Sequence, residues 1–372
     1  MKLPNSAGEK RLNWQQKSLF VFIMLAALVI VLCGKVPSIG KHFVASGPSD
    51  RIWGDLYRLC EVDRFRETIA VMPKTPTVPL KQAEILTLGD SFFNSSLQSD
   101  LFAGELAAKS GFAVHNLADS DFFEPFSYPL AYLKAIGYQP DRRRILILES
   151  VERSSLERTT TFDSAGGSSA NRLNAVAFKL FKNNDVEYFF KNNLVTHPVL
   201  KWVKNLRFDW FGSIDKAIGA YSLNPDMLFY QRDLDFAALA KPDPVLDRAT
   251  DRVADLARIL RRKYNLELLL VVVPDKYSVY RDYLDQEKPY DRYIPRLVER
   301  LRDRGVPAVD LYSAYLRFRR NDPRPLFFAG DSHYTATGKM VLVDECIREI
   351  ADMNGRKRTP VEKPSRHGHR RP

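Results

Sequence analysis

The sequence predicts an α/β protein: a three-layer α/β/α sandwich around a mainly parallel sheet, preceded by one N-terminal transmembrane helix. Three observations carry this. Apolar runs at Ile85–Leu88, Arg144–Glu149 and Leu266–Val273 alternate with amphipathic helical spacings, the rhythm of buried parallel strands joined by crossover helices. With 372 residues, of which 45% are hydrophobic, the chain can bury a large core. Ser18 to Gly34 is an uncharged apolar run between Lys17 and Lys35.

Taken in order, residues 1–17 form a cytoplasmic N-terminus. Lys2, Lys10, Arg11 and Lys17 oppose only Glu9 there, which favours keeping this end inside. The apolar run is short for a span, so a cleaved signal peptide competes with an anchor. No small-x-small site follows it, and Leu32 before Cys33 fits a lipoprotein box poorly, so residues 18–36 are read as an uncleaved signal anchor. Residues 37–80 are read as a juxtamembrane helix and proline-rich linker. Apolar Ile52, Trp53, Leu56, Leu59 and Cys60 give the helical spacing, and Met72 to Leu80 give the linker.

The main domain is placed at 81–353. After the Ile85–Leu88 strand come a helix near 100–111 closed by Gly111, a strand over Ala113–Leu117, a helix from Tyr128 to Gly137 and the Arg144–Glu149 strand. From about 154 to 245 the rhythm dissolves into aromatics, Asn and Gly166-Gly167, and this stretch is read as an insertion. The alternation resumes with a charged helix over Asp247–Tyr264 and the most apolar strand, Leu266–Val273. A helix near 291–304, a short strand over Val306–Leu311 and a last helix from about 337 to 353 complete the domain. Residues 354–372 are a basic disordered tail.

That tail locates much of the net charge of +11: residues 355–372 hold seven Lys or Arg against one Glu. No basic-aromatic platform for nucleic acid stands elsewhere. Outside Cys33, Cys60 and Cys346 are either a pair or two free thiols. No Cys/His cluster has metal-ligand spacing and no Walker-type loop occurs, so no cofactor or metal is expected.

The chemistry lies in two motifs, Leu88-Gly89-Asp90-Ser91-Phe92 and Gly330-Asp331-Ser332-His333-Tyr334-Thr335-Ala336-Thr337-Gly338. Gly-Asp-Ser is also an ordinary turn and N-cap; its distant partner is what raises Ser91 to a candidate nucleophile. A serine needs a base and a base needs an orienting acid, and His333 and Asp331 supply both types two residues apart. Among the six histidines, two lie in the tail, His42 is juxtamembrane, His197 is in the insertion, and His115 reads as a packed strand histidine. Sites in open parallel sheets form beyond the carboxyl ends of strands, where both motifs fall. Asp90 is read as the cap that helps place Ser91, and Asn94 as a first-turn helix residue. Glu152 and Arg153 are either a structural ion pair or, through Arg153, a lining that binds a polar acyl acceptor; Lys276 is read the same two ways.

With these residues in place, the chain resembles the SGNH (GDSL-type) hydrolase superfamily, and more narrowly its polysaccharide O-acetyltransferases of the alginate type. The resemblance rests on Leu88–Phe92, Leu146–Arg153, Val272–Lys276 and Asp331–Gly338, spanning about 85–350. It departs in two respects, the first being that in the alginate proteins Asp-x-His precedes the serine. The usual glycine and Gly-x-Asn oxyanion donors are replaced here by Asn116–Ser120 and Glu149–Arg153, so the Ser91 N–H and one from Ala118 to Ser120 are the candidate donors. The resemblance implies an SGNH/flavodoxin-like catalytic domain and a membrane-anchored O-acetyltransferase working through an acetyl-serine. It further implies a polysaccharide acceptor and a membrane-bound O-acyltransferase as acetyl supplier. The expected place is a bacterial inner membrane, single-pass, with the catalytic domain periplasmic. A carbohydrate acetylesterase and a non-catalytic export-assembly protein are the alternatives.

Overall fold

Leu266–Val273 is buried at every position, and such a strand can only be central. In the computed structural model, which describes residues 13–35, 51–117, 126–162, 194, 196–285 and 289–356, it is an inner strand of a five-stranded sheet. In chain order the strands are β1 (Arg51–Trp53), β2 (Thr68–Ala70), β3 (Ile85–Leu88), β4 (Val114–Asn116), β5 (Arg144–Val151), β6 (Ile218–Leu223), β7 (Asp226–Tyr230), β8 (Leu266–Val273) and β9 (Ala308–Val309). The central sheet runs β4-β3-β5-β8-β9, all parallel. β5 and β8 pair in unbroken register from Arg144 opposite Leu266 to Val151 opposite Val273.

Alternate residues of these strands feed two apolar layers. Ile147, Leu269, Val271 and Val273 face one, packed with Phe102, Leu106, Tyr315 and Leu342 from helices Phe102–Ser110, Leu311–Asn321 and Ala336–Arg356. Leu146, Leu148, Leu268 and Leu270 face the other, with Leu133, Val253, Leu256 and Leu297 from helices Pro129–Ala135, Asp243–Tyr264 and Tyr293–Asp303. This is the expected three-layer α/β/α arrangement. The chain leaves β3 to build β4 on one side and then β5 on the other, so the switch point lies at the carboxyl ends of β3 and β5, where open α/β sheets place their sites.

Two compact units divide the chain. One groups Met1–Pro48 with Leu173–Gly212; its described elements are the helices Trp14–Lys35 and Thr196–Phe211. The other, Ser49–Arg172 with Ser213–Pro372, holds the sheet. The apolar run is helical within Trp14–Lys35, yet among the described residues no helix is long and apolar enough to cross a membrane. The expected span is corrected to that extent. Its physical reason is length: 17 uncharged residues rise only about 25 Å against a hydrocarbon core of about 30 Å.

Other expectations also change. Residues 50–70 are not one helix: β1 and β2 pair antiparallel around the short helix Asp55–Cys60, within the larger unit. Gly54 breaks the helix, and a Cβ there would meet Gly330 O at 2.0 Å, so the chain passes too close to the Asp331 loop for any side chain. The strand expected over Val306–Leu311 is cut to β9 because Asp310 caps a further helix, Leu311–Asn321, accepting from Ser313 N–H at 3.0 Å. The 154–245 stretch contains helix Glu152–Thr161 at its start and an antiparallel hairpin, β6–β7; Gly166-Gly167, His42 and most of the basic tail lie outside the described residues. Cys60 and Cys346 are both buried and are not joined in a disulfide.

Because Leu269 is fully buried in the first of the two apolar layers, Leu269→Ala is expected to destabilise the fold by about 2–5 kcal/mol, read from the shift in urea midpoint.

Candidate active site

β3 ends at Leu88, and Asp90 leaves the strand extended, its carboxylate accepting the Phe92 N–H at 3.0 Å. That cap starts the short helix Ser91–Asn94, whose first residue, Ser91, is exposed. The Asn94 amide bonds back to Gly89 O and Asp90 O at 3.1 and 2.9 Å, closing the turn from its far side. The serine is therefore fixed at the backbone and open at the hydroxyl.

The second motif sits in an irregular loop between helices Leu311–Asn321 and Ala336–Arg356, pinched by a bridge from Phe327 to Tyr334. It brings His333 Nε2 to 2.8 Å from Ser91 Oγ and His333 Nδ1 to 2.7 Å from Asp331 Oδ1. The imidazole also packs on the Phe92 ring, 4.8 Å between centroids. Ser91, His333 and Asp331, read from sequence as one constellation, are thus joined in one hydrogen-bonded chain. Burial alone would lower the His333 pKa, but its bond to Asp331 and the charges of Asp331, Asp55 and Asp90 hold it above the ordinary 6.5. Burial alone would raise Asp331, and its bonds from His333 keep it below the usual carboxylate range. The two directions agree: the pair favours carboxylate beside imidazolium.

The loop is held from three directions. Asp331 Oδ2 accepts the Asp55 N–H at 2.9 Å, while Asp55 Oδ1 takes the Ser332 N–H at 2.7 Å and Oδ2 its hydroxyl. Glu67 takes the Ala329 N–H at 2.9 Å. Lys276 donates to the carbonyls of Phe328, Ala329 and Asp331 at 2.9, 3.2 and 2.6 Å. Lys276 is 1% exposed and pushed down to about 8 by burial, so its observed partners are the loop's backbone. Asp55, Asp331 and His333 offer ligand atoms within 4.8 Å of one another. Those atoms already bond to one another and to Ser332, so the group reads as loop architecture.

Asp90 has a second task. Its Oδ2 pairs with Arg158 Nη1 at 2.7 Å, and Arg158 also reaches Ser150 Oγ at 2.8 Å and lies over the Phe126 ring. Burial pushes Asp90 up, but Arg158 and the Phe92 N–H hold it below the usual range.

Glu152 and Arg153 do not pair with each other, which corrects the ion-pair reading. As consecutive residues opening a helix they point apart. Glu152 accepts from Tyr290 OH at 2.7 Å and Asp275 N–H at 2.9 Å, and burial lifts it to about 7. Arg153 reaches Asp275 at 2.7 Å and Asp233 at 3.3 Å, and lines a cleft of about 520 Å³ with Leu156, Phe236, Leu239 and Arg248. Ala118 and Ser120 lie outside the described residues; the Ser91 N–H has no acceptor among the described ones. His115 is half-buried and bonds Val78 O at 2.7 Å. Sequence reasoning missed Asp55, Glu67 and Arg158. Each acts across a long separation, 276 residues for Asp55 to Asp331, and no local pattern marks them.

A family model described as the SGNH hydrolase-like domain of the acetyltransferase AlgX matches residues 224–364, which include Lys276, Asp331 and His333 and leave Ser91 outside. Among solved structures, the O-acetyltransferase domain of Pseudomonas putida AlgJ is similar at 23% identity over 35% of this chain and 45% of that one, with a TM-score of 0.27; the likeness spans less than half of that chain. No curated protein sequence matches. The chain resembles the SGNH, AlgX- and AlgJ-like group.

In an NMR titration, His333 is expected to titrate above 6.5 and to move down in Asp331→Asn, which removes the charge holding the imidazolium. The neutral ring, the form able to accept the Ser91 proton, should gain population as pH rises through the wild-type value.

Proposed function

We propose that this chain is an SGNH-like O-acetyltransferase that acetylates a polysaccharide through an acetyl-Ser91 intermediate. The observation that carries this reading is the Ser91–His333–Asp331 chain at 2.8 and 2.7 Å, at a sheet end where a substrate can reach the exposed hydroxyl. His333 Nε2 takes the Ser91 proton as Oγ forms its bond to the acetyl carbonyl carbon. His333 returns that proton to the donor's leaving oxygen as the ester C–O bond breaks. A sugar hydroxyl then gives its proton to His333, attacks the acetyl-serine, and Oγ recovers the proton as it leaves. Asp331 fixes the ring tautomer and balances the imidazolium in both halves. The Ser91 N–H is the candidate oxyanion donor from the chain's own turn.

Polysaccharide as acceptor comes from the resemblance to AlgX and AlgJ. Extracytoplasmic placement and an acetyl supplier in the membrane belong to the same proposal. Membrane association is assigned to helix Trp14–Lys35, whose described side chains from Leu19 to Val29 include seven large exposed apolar residues between Leu19 and Leu25. A second reading, carbohydrate acetylesterase, is favoured by the exposure of Ser91, which leaves water free to compete with a sugar hydroxyl.

Ser91→Ala is expected to lower turnover of p-nitrophenyl acetate by about 10³-fold or more, and retention of wild-type turnover would end the catalytic reading. Mass analysis of added oligosaccharide then separates the two activities: acetylated sugar marks transfer, and acetate alone marks hydrolysis. Co-flotation of the full chain with lipid vesicles, lost on deleting residues 14–35, is the expected result for attachment.

A further inference from the structure

Glu149 lies beneath the turn that presents Ser91, and the triad does not use it. It is the sixth residue of β5 and 1% exposed. Its Oε2 accepts the Asp90 N–H at 2.8 Å. A Cβ on Gly89 would stand 2.5 Å from that same oxygen, so only glycine fits between Leu88 and Asp90. The other oxygen, Oε1, is buried and has no hydrogen-bond partner among the described residues. One side chain therefore bears on both residues that lead into the nucleophile.

Charge balance around it decides its state. The charged groups facing Glu149 are Asp90 from the turn and Arg158 from helix Glu152–Thr161; Tyr334, from the loop side, is neutral. Arg158 is committed to Asp90 and Ser150. One guanidinium balances one carboxylate, and a second buried carboxylate would have neither a counter-ion nor a bond for Oε1. Burial first, and then the Asp90 charge, push Glu149 well above the ordinary carboxylate range. The two neighbouring carboxyls are driven apart, Asp90 charged and Glu149 neutral.

We propose that Glu149 is a positioning residue that works as an uncharged acid: it holds the Asp90 N–H, and with it the turn that sets Ser91 against His333, and its ionisation releases that turn. The proposal rests on the catalytic reading of Ser91. Ionised Glu149 would set a second negative charge beside Asp90, and the repulsion would act on the backbone segment that carries Ser91. For a group whose folded value is raised, the neutral form is complete below the unfolded value and is lost as pH climbs through the folded one. Activity should therefore carry an alkaline limb belonging to neither the serine nor the histidine.

The experiment measures the rate at which a fluorophosphonate probe labels the full chain across pH, in wild type and in Ser91→Ala, Glu149→Gln and Glu149→Ala. Glutamine keeps a neutral acceptor, so labelling at neutral pH should stay within about 3-fold of wild type while the alkaline fall disappears. Alanine removes the acceptor and should slow labelling about 10-fold or more at every pH, since small misplacements of reacting groups are costly. Infrared difference spectra between wild type and Glu149→Gln should show a protonated-carboxyl band at neutral pH that the variant lacks. If labelling occurs in wild type and not in Ser91→Ala, but Glu149→Gln keeps the alkaline fall, slows as much as Glu149→Ala, or shares the carboxyl band, the positioning role is overturned alone. Labelling that is absent from wild type, or that persists in Ser91→Ala, removes the serine reading and this proposal with it.

Discussion

A loop without regular structure must find partners for its backbone elsewhere, and at this site that requirement governs everything. Residues 326–335 carry the acid and the base yet make only one bridge of their own. Their carbonyls take the Lys276 ammonium, their amides take Asp55 and Glu67, and Gly54 passes close enough to exclude a side chain. Buried backbone groups left unpaired cost about 1–3 kcal/mol each, so these partners favour the conformation in which the loop's demands are met. That conformation puts His333 against Ser91.

The electrostatics around the loop follow one pattern at two scales. At the triad, burial is offset by a partner of opposite charge, and both His333 and Asp331 shift toward their charged forms. Beyond β5 and β8, two acids share one cation: Asp233 and Asp275 both reach Arg153, and burial lifts both carboxyls, as it lifts that of neighbouring Glu152. Oδ2 of both Asp233 and Asp275 is without a hydrogen bond among the described residues, as expected where one guanidinium serves more carboxylates than it can balance. Burial thus leaves charge where an opposite charge answers it, at Asp331, His333 and Asp90, and suppresses it at Glu152, Asp233 and Asp275.

The sheet was legible because burial on both faces writes itself into sequence as unbroken apolar runs, as in Leu266–Val273. Ser91, Asp331 and His333 were legible for another reason: the residue types needed for one chemistry are few, and both motifs fall after predicted strands or before a helix. Asp55 was hidden because its local helical spacing explains it fully, while its function comes from a contact 276 residues away. Lys276 and Arg153 showed only as charges at strand ends; whether such a charge faces substrate or carbonyls depends on loops whose course no local pattern encodes. Leu311–Asn321 was hidden by Val306–Leu311, whose apolar letters suit a strand until Asp310 is seen to cap a helix.

The separation of 242 residues between Ser91 and His333 also has a meaning in time. A chain emerging at about 5–20 residues per second exposes its serine roughly 10–50 s before its histidine exists. Through that interval Ser91 is an ordinary alcohol on an unfinished sheet, with no base beside it and no acid behind the base. The hydrogen-bonded chain from Ser91 through His333 to Asp331 is completed only when the last described helix has been made and the loop before it has docked.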